Sequence, residues 1–247
     1  MAMRKHFGAG TANPAQEDCF STSISDLMAG LLSIFILALV CYILNYNQKI
    51  DQITDNDTVR SNLLREVQAE LRKNNIVVYI DEAQGTMWLS ESVLFDKGQA
   101  MLKPVAKNMT VPRLAKVIVT TLGKAEYKNK VETVFIEGHT DDQPYHNKKF
   151  GNWELSVNRA INTWIVMQNT VPDIDKSLRN AKGEPLFSCS GYADTRPKVA
   201  GTSEEARRQN RRISFRITMT PPTKDNGASI NKPPQKTELN NNVSKSQ

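Results

Sequence analysis

Two places in this sequence set ionisable side chains where they could do chemistry. The first is Asp26, in SISDLMAGLLSIF, at the mouth of an uncharged apolar run. A carboxylate there is costly when charged and tolerable when protonated. A carboxylate in such a place can therefore load and release a proton. At helical spacing Asp26, Gly30 and Ser33 share one face, a narrow stripe of one acid and small residues that permits close helix packing. An N-cap is the competing explanation, because Asp accepts from free N–H groups at a helix start, although Ser23 and Ser25 could cap equally well. On the residues alone, ion pathway and cap are equally supported. The second place pairs Asp141, just past the apolar strand segment VFIEG, with Arg159 in the middle of a helical segment. Leu155 and Asn152 precede Arg159 by four and seven residues, on the same helical face. A zwitterionic ligand needs one anion and one cation at fixed separation. Arg offers a planar fork to a carboxylate, and Asp accepts from an ammonium. An Asp141–Arg159 salt bridge that merely orders the fold is the alternative.

Other combinations carry less. Glu137 and Asp141 could form a carboxylate pair for glycoside hydrolysis, but they flank a strand end and their separation is undetermined. His6, His139 and His146, with Cys19, Cys41 and Cys189, show no metal-ligand spacing, so neither a metal nor a cofactor is expected. His139 reads as a packing residue at a strand end. Only Cys189 lies in the large domain, so that domain must be stable through its core rather than through disulfides. The net charge of +6 is spread along the chain, without a basic stripe interleaved with aromatics, and no nucleic-acid partner is expected.

The elements that must position these residues follow from pattern. Leu27–Tyr46 is uncharged for about twenty residues, or about 30 Å of helix, the thickness of a bilayer's hydrocarbon core. Arg4, Lys5 and His6 stand far from this run, which is too long for a signal peptide and is followed by no small-x-small cleavage site. Val40 before Cys41 also argues against a lipoprotein signal. A retained single span over 24–46 is therefore expected. Lys and Arg counts do not fix its orientation. Residues 47–75 lack Gly and Pro and read as a helical connector. Ile50, Ile53, Leu64, Val67 and Leu71 fit a heptad grid, with Asp57 and Arg60 on the seam. A short parallel coiled coil, and hence a homodimer, competes with a helix packed on its own domain.

From Ile76 strands and helices alternate. Strands are expected at Ile76–Asp81, Met87–Ser90, Val131–Gly138, Phe187–Gly191 and Arg212–Met219. Helices are expected at Lys103–Leu122 (interrupted or started by Pro112), Trp153–Gln168 and Ser203–Asn210. Leu155, Ala160, Ile161, Trp164 and Ile165 form the expected core face of the second. The class is α+β, a small mixed sheet covered by helices. Residues 221–247, rich in Asn, Lys, Ser and Pro, read as a disordered tail.

Five segments resemble, in order, the peptidoglycan-binding domain of the OmpA, Pal and MotB families: VLFDKGQAMLKP, FIEGHTDD, NWELSVNRA, GYADTRP and RRQNRRISFRI. DLM-x-x-LL-x-x-F resembles the single span of MotB-type stator subunits. The resemblance implies an OmpA-like βαβαβ domain over 76–220 and a non-enzymatic role. It also implies that Asp26 carries an ion, and that Asp141 and Arg159 hold the diaminopimelate of the wall stem peptide, with Asn152 and Leu155 in support. Lys148, Lys149, Pro144 and Tyr145 depart from the pattern and put ligand details at that loop in doubt. The implied partners are a multi-span MotA- or ZorA-like subunit, as a pentamer around a dimer of this chain, and peptidoglycan. The implied location is the inner membrane, with residues 1–23 cytoplasmic and the large domain periplasmic. In stator relatives the segment after the span also acts as a plug. The polar tail, short N-terminus and SISDLMAGLLSIF segment look closer to the subunits of Zorya anti-phage defence than to flagellar ones. A passive wall anchor would need the domain but not Asp26.

Overall fold

The structure, a computed structural model, describes residues 14–145 and 151–221. Arg4, Lys5 and His6, the loop residues 146–150 and the tail after residue 221 lie outside the described residues. Helix α1 (Pro14–Lys73) joins the apolar run and the connector without a break. Pro14 stands at the first helical position, where its missing N–H costs no bond. Sixty helical residues extend about 90 Å. The apolar part reaches a mean hydropathy of 2.7, and the rest of the chain covers none of it. Leu27, Leu31 and Phe35 are each at least 60% exposed. A helix that is greasy on every side and uncovered is long enough to cross a bilayer.

The connector divides along its length. Ile50 and Ile53 remain exposed, whereas Leu64, Val67 and Leu71 are fully buried in the core of the large domain with Leu63. The last turns of α1 pack on helix α3 (Val111–Leu122). Polar ties reinforce the join: Glu66 accepts from Tyr127 at 2.8 Å and pairs with Lys124, and Arg65 forms a two-pronged bond to Glu82. The long helix is therefore seated in the domain at one end and bare at the other.

The domain is built on one five-stranded sheet, ordered β1-β2-β5-β3-β4. Its strands are β1 (Tyr79–Asp81), β2 (Thr86–Ser90), β3 (Val131–His139), β4 (Phe187–Gly191) and β5 (Arg212–Met219). The β3–β4 pair is parallel and the other pairs are antiparallel. Strict alternation gives the sheet two characters. Met87, Leu89, Val134, Ile136, Ile213, Phe215 and Ile217 enter the apolar core shared with the helices. Thr86, Trp88, Glu137, His139, Arg212, Ser214 and Arg216 occupy the other, polar face.

Helix α4 (Gly151–Thr170) lies against β3 and β4. The approach is close: a Cβ on Gly138 would stand 1.9 Å from the Ser156 carbonyl oxygen, so only glycine fits there. Leu155 and Ala160 are buried as expected, and Trp164 stacks on Phe187 at 5.0 Å. Ile161 and Ile165 instead face outward, 38% and 44% exposed. The buried stripe runs through Ser156, Arg159, Thr163, Val166 and Met167. Polar residues displace the apolar ones there because this face of the helix also builds the site described below. Two further boundaries shift. The first strand forms only at Tyr79–Asp81, with Ile76 and Val78 anchoring irregular chain in the core. The Lys103–Leu122 segment begins with a π-helical turn, Ala106–Thr110, and its α-helical part carries Pro112 in the first turn. Three short helices complete the domain: α2 (Glu91–Leu94), α5 (Ile174–Ser177) and α6 (Glu204–Asn210). Ser203 caps α6 by accepting from the Ala206 N–H.

Candidate functional site

The polypeptide brings Asp141, Asn152, Leu155 and Arg159 to one cleft of about 110 Å³. Asp141 follows the end of β3, and the other three come from the first turns of α4. One Asp141 carboxylate oxygen accepts from the Gln143 N–H at 3.2 Å, which holds the turn after the strand. The Asn152 amide donates to the Gln143 carbonyl at 3.0 Å and more weakly to the Asp141 carbonyl at 3.4 Å. Leu155 forms the apolar wall, 5% exposed. Helix α4 thus clamps the loop that presents the acid.

Asp141 and Arg159 do not rely on each other. Arg211, at the junction of α6 and β5, donates to Asp141 at 2.6 Å and to Glu91 at 2.9 Å. Glu91, the first residue of α2, in turn pairs with Arg159. The result is an alternating chain of charge, Asp141–Arg211–Glu91–Arg159. Arg159 also donates through Nε to the Gln99 carbonyl at 2.9 Å and packs over Phe95. Burial pushes the Glu91 carboxyl up, with Arg159 and Arg211 pulling it back, and burial pulls the Arg159 guanidinium down. Each charge needs the next one in the chain to stay ionised in so dry a place. Arg211 is the most exposed of the two arginines, and its bonds to Asp141 and Glu204 outweigh burial and raise it. A ligand entering the cleft meets the carboxylates of Asp141 and Glu91 and the cations of Lys97, Arg159 and Arg211, with Tyr145 and Leu155 on the walls.

Sequence reasoning missed Glu91 and Arg211. The first hides in the unremarkable stretch SESVLF, and the second is one of several arginines in RRQNRRISFRI. Asp26 sits apart from all of this. Along α1 it lies about 55 Å from Leu63, where the helix enters the core. Its side chain is exposed, and Gly30, one turn on, has nothing within 4 Å of where a Cβ would stand. Ser33 bonds back to the Ala29 carbonyl at 2.8 Å, so the small-residue face is smooth and bare.

Among the described residues no group of His, Cys, Asp and Glu could hold a metal. Cys189 is a packing thiol, pushed up to about 11 by burial. Glu137 faces away from the cleft, bonded to Arg216 at 2.7 Å on the polar sheet face, and so does not pair with Asp141.

These charges set a pH response. Burial pushes Glu137 up, but the Arg216 guanidinium bonded to it holds it below the usual glutamate value, and burial pulls His139 below the usual histidine value. The Lys124 bond depresses Glu66 and the Lys198 bond depresses Asp81. In each case the unfolded chain binds more protons, so the stabilisation is present above the unfolded value and lost as pH falls. Glu91, raised on folding, acts in the opposite sense but is outnumbered. The melting temperature of the full chain in detergent should therefore drop as pH is lowered from 7 to 4. The early part, starting near pH 6.5, should vanish in His139→Gln. A melting temperature that is flat or rises on acidification would contradict this.

Residues 94–211 match the OmpA family. The chain is 33% identical to motility protein B of Bacillus subtilis over 131 residues, 52% of this chain and 43% of that one. The chain therefore spans less than half the length of that relative. It is 26% identical to the Zorya protein ZorB of Escherichia coli over 242 residues, 87% of this chain and 94% of that one. A crystal structure of a MotB-like protein from Desulfovibrio vulgaris shares the fold, with a TM-score of 0.50 and 24% identity over 68% of this chain and 99% of that one. Residues 94–211 thus match an OmpA-family domain, and the chain that carries it is similar in sequence to MotB-type proteins.

Proposed function

We propose that this chain is a wall-anchored stator subunit of an ion-driven motor in the inner membrane. The observation that carries this reading is a single helix with a lone acid at one end of its bare apolar segment and an OmpA-family domain built on its other end. The amino terminus is cytoplasmic and the domain periplasmic. Asp141 takes the ammonium of a diaminopimelate side chain and the Arg211–Arg159 end of the cleft takes its carboxylate, with Asn152 and Leu155 shaping the entrance. Two copies insert their apolar helices into a ring of a multi-span MotA- or ZorA-like partner, a pentamer, and pair through the exposed faces around Ile50 and Ile53. Protonation of Asp26 lets the helix pass an apolar step, and deprotonation re-pins it. A membrane potential supplies about 2.3 kcal/mol per charge per 100 mV, enough for a few protons to bias a rotation. The wall contact holds this subunit still, so the partner moves.

The setting we favour is Zorya anti-phage defence, because the alignment with ZorB runs over nearly the whole of both chains and that with motility protein B does not. A flagellar stator is the second reading, supported by the higher identity to motility protein B within the shared part. Purification of the tagged full chain from native membranes should recover a multi-span partner in fixed ratio. Recovery of the chain alone, still bound to wall, would leave a passive anchor.

A further inference from the structure

The polar face of the sheet is roofed by the segment Arg196–Lys198, and between them lies a cavity of about 350 Å³ separate from the Asp141 cleft. Arg196, Lys198, Arg212 and Arg216 line it, with His139 and Glu137. Four cations face two carboxylates: Glu137 is bonded to Arg216, and Asp81 to Lys198. Among the described residues two of these positive charges have no carboxylate partner, those of Arg196 and Arg212. Arg212 is 8% exposed, and its guanidinium donates only to the Asn210 and Arg196 carbonyls. A buried guanidinium normally has an anion beside it, because carbonyl dipoles alone compensate poorly for lost water.

His139 supplies an independent sign. It is 3% exposed, it stacks on Tyr192, and neither ring nitrogen has a hydrogen-bond partner among the described residues. The nearest carboxylate oxygen, on Glu137, is 3.9 Å from Nε2, beyond hydrogen-bond reach. Buried ring nitrogens left bare cost free energy unless something else binds them. The Arg196 guanidinium is parked over the Tyr192 ring, 3.7 Å from its centre, so it is held at the cavity without being neutralised. Trp88 is not offered to a sugar ring, since Tyr79 stacks on it and Lys198 covers it. The recognition chemistry is that of a compact, doubly charged oxyanion.

We propose that this cavity is a second binding site, for a phosphate group, held by Arg196 and Arg212 with His139 donating from the floor. Arginine forks match the oxygens of a phosphate, and the surplus of two positive charges matches the charge of a phosphate monoester. The group could be carried by a soluble phosphate ester or by a lipid headgroup.

The test is calorimetric titration of the detergent-solubilised full chain with inorganic phosphate. Parallel titrations use glycerol phosphate and phosphatidic acid vesicles, both of which present a phosphate monoester, to separate a soluble source from a headgroup. Saturable binding of inorganic phosphate is expected, weakened about tenfold or more in Arg196→Gln and in His139→Gln, as for loss of one charge-assisted bond. Asp141→Asn should leave phosphate binding unchanged, which separates this site from the wall cleft. Arg196 is exposed, so its replacement leaves the fold in place, and an unchanged melting temperature confirms that. Failure of the wild-type chain to bind phosphate at millimolar concentration would overturn the proposal. So would wild-type affinity in both Arg196→Gln and His139→Gln.

Discussion

Replacing Asp26 with Asn should abolish the ion-driven activity altogether while leaving the protein in the membrane and on the wall. The amide is nearly the same size as the carboxyl, so packing and any capping bonds survive. What disappears is the ability to alternate between charged and neutral forms. In a cell that depends on this chain for phage resistance, plaque counts with Asp26→Asn should equal those of a deletion strain. If swimming is the readout, motility should be lost to the same degree. Wild-type performance with normal membrane content would sink the ion-carrying role, and the domain would be left as a tether. Asp26→Glu is the informative companion. It keeps the chemistry and moves the carboxyl by one methylene on a helix whose neighbouring positions, Gly30 and Ser33, are small. Partial activity is expected.

Arg159→Met should carry the largest cost in stability. Arg159 is only 2% exposed and belongs to the run Asp141–Arg211–Glu91–Arg159. Removing it leaves Glu91 buried with Arg211 alone and strands the Gln99 carbonyl that accepted from Nε. Breaking a buried pair on one side costs about 3–5 kcal/mol, because the surviving charge keeps its desolvation penalty. Chemical denaturation of the full chain should show the midpoint fall accordingly. The double variant Glu91→Gln with Arg159→Met should recover part of the loss, since no full charge is then left unpaired. Arg159→Lys should recover only part of the loss, because the ammonium keeps a charge for Glu91 but lacks the fork in which Nε reaches the Gln99 carbonyl while the terminal nitrogen meets Glu91. A loss below about 1 kcal/mol for Arg159→Met would mean that the network is more solvated than its burial indicates.

The contrast between those two residues explains what was legible in the sequence. The apolar run announces its helix through composition alone, and the strands Phe187–Gly191 and Arg212–Met219 announce theirs through alternation. The spacing of Asn152, Leu155 and Arg159 on one helical face is local, and the fold keeps it. Glu91 and Arg211 were out of reach because their meeting depends on how β2 and β5 pair. The bond from the Glu91 N–H to the Arg211 carbonyl at 2.9 Å closes that pairing, across more than a hundred residues of chain. The outward turn of Ile161 and Ile165 was hidden for a related reason. Hydrophobic periodicity assumes that the buried stripe is apolar, and here the site fills it with Ser156, Arg159 and Thr163. The connector shows a third limit. A heptad grid records that apolar residues share a face, but not whether a second helix or the chain's own sheet covers it. Here the domain covers Leu64, Val67 and Leu71 and leaves Ile50 and Ile53 bare.

The mechanical logic depends on the cleft gripping something immobile. The most direct measurement is titration of the solubilised full chain with a soluble stem peptide containing diaminopimelate, alongside one with lysine in its place. Saturable binding is expected for the first and much weaker binding for the second, because lysine lacks the extra carboxylate that the arginine end of the cleft would hold. Asp141→Asn should abolish binding of the first; Arg211 keeps Glu91 and Glu204 as partners, so the variant still folds, with a lowered melting temperature. Equal binding of both peptides, or wild-type affinity in Asp141→Asn, would contradict the claim that this cleft holds the cell wall.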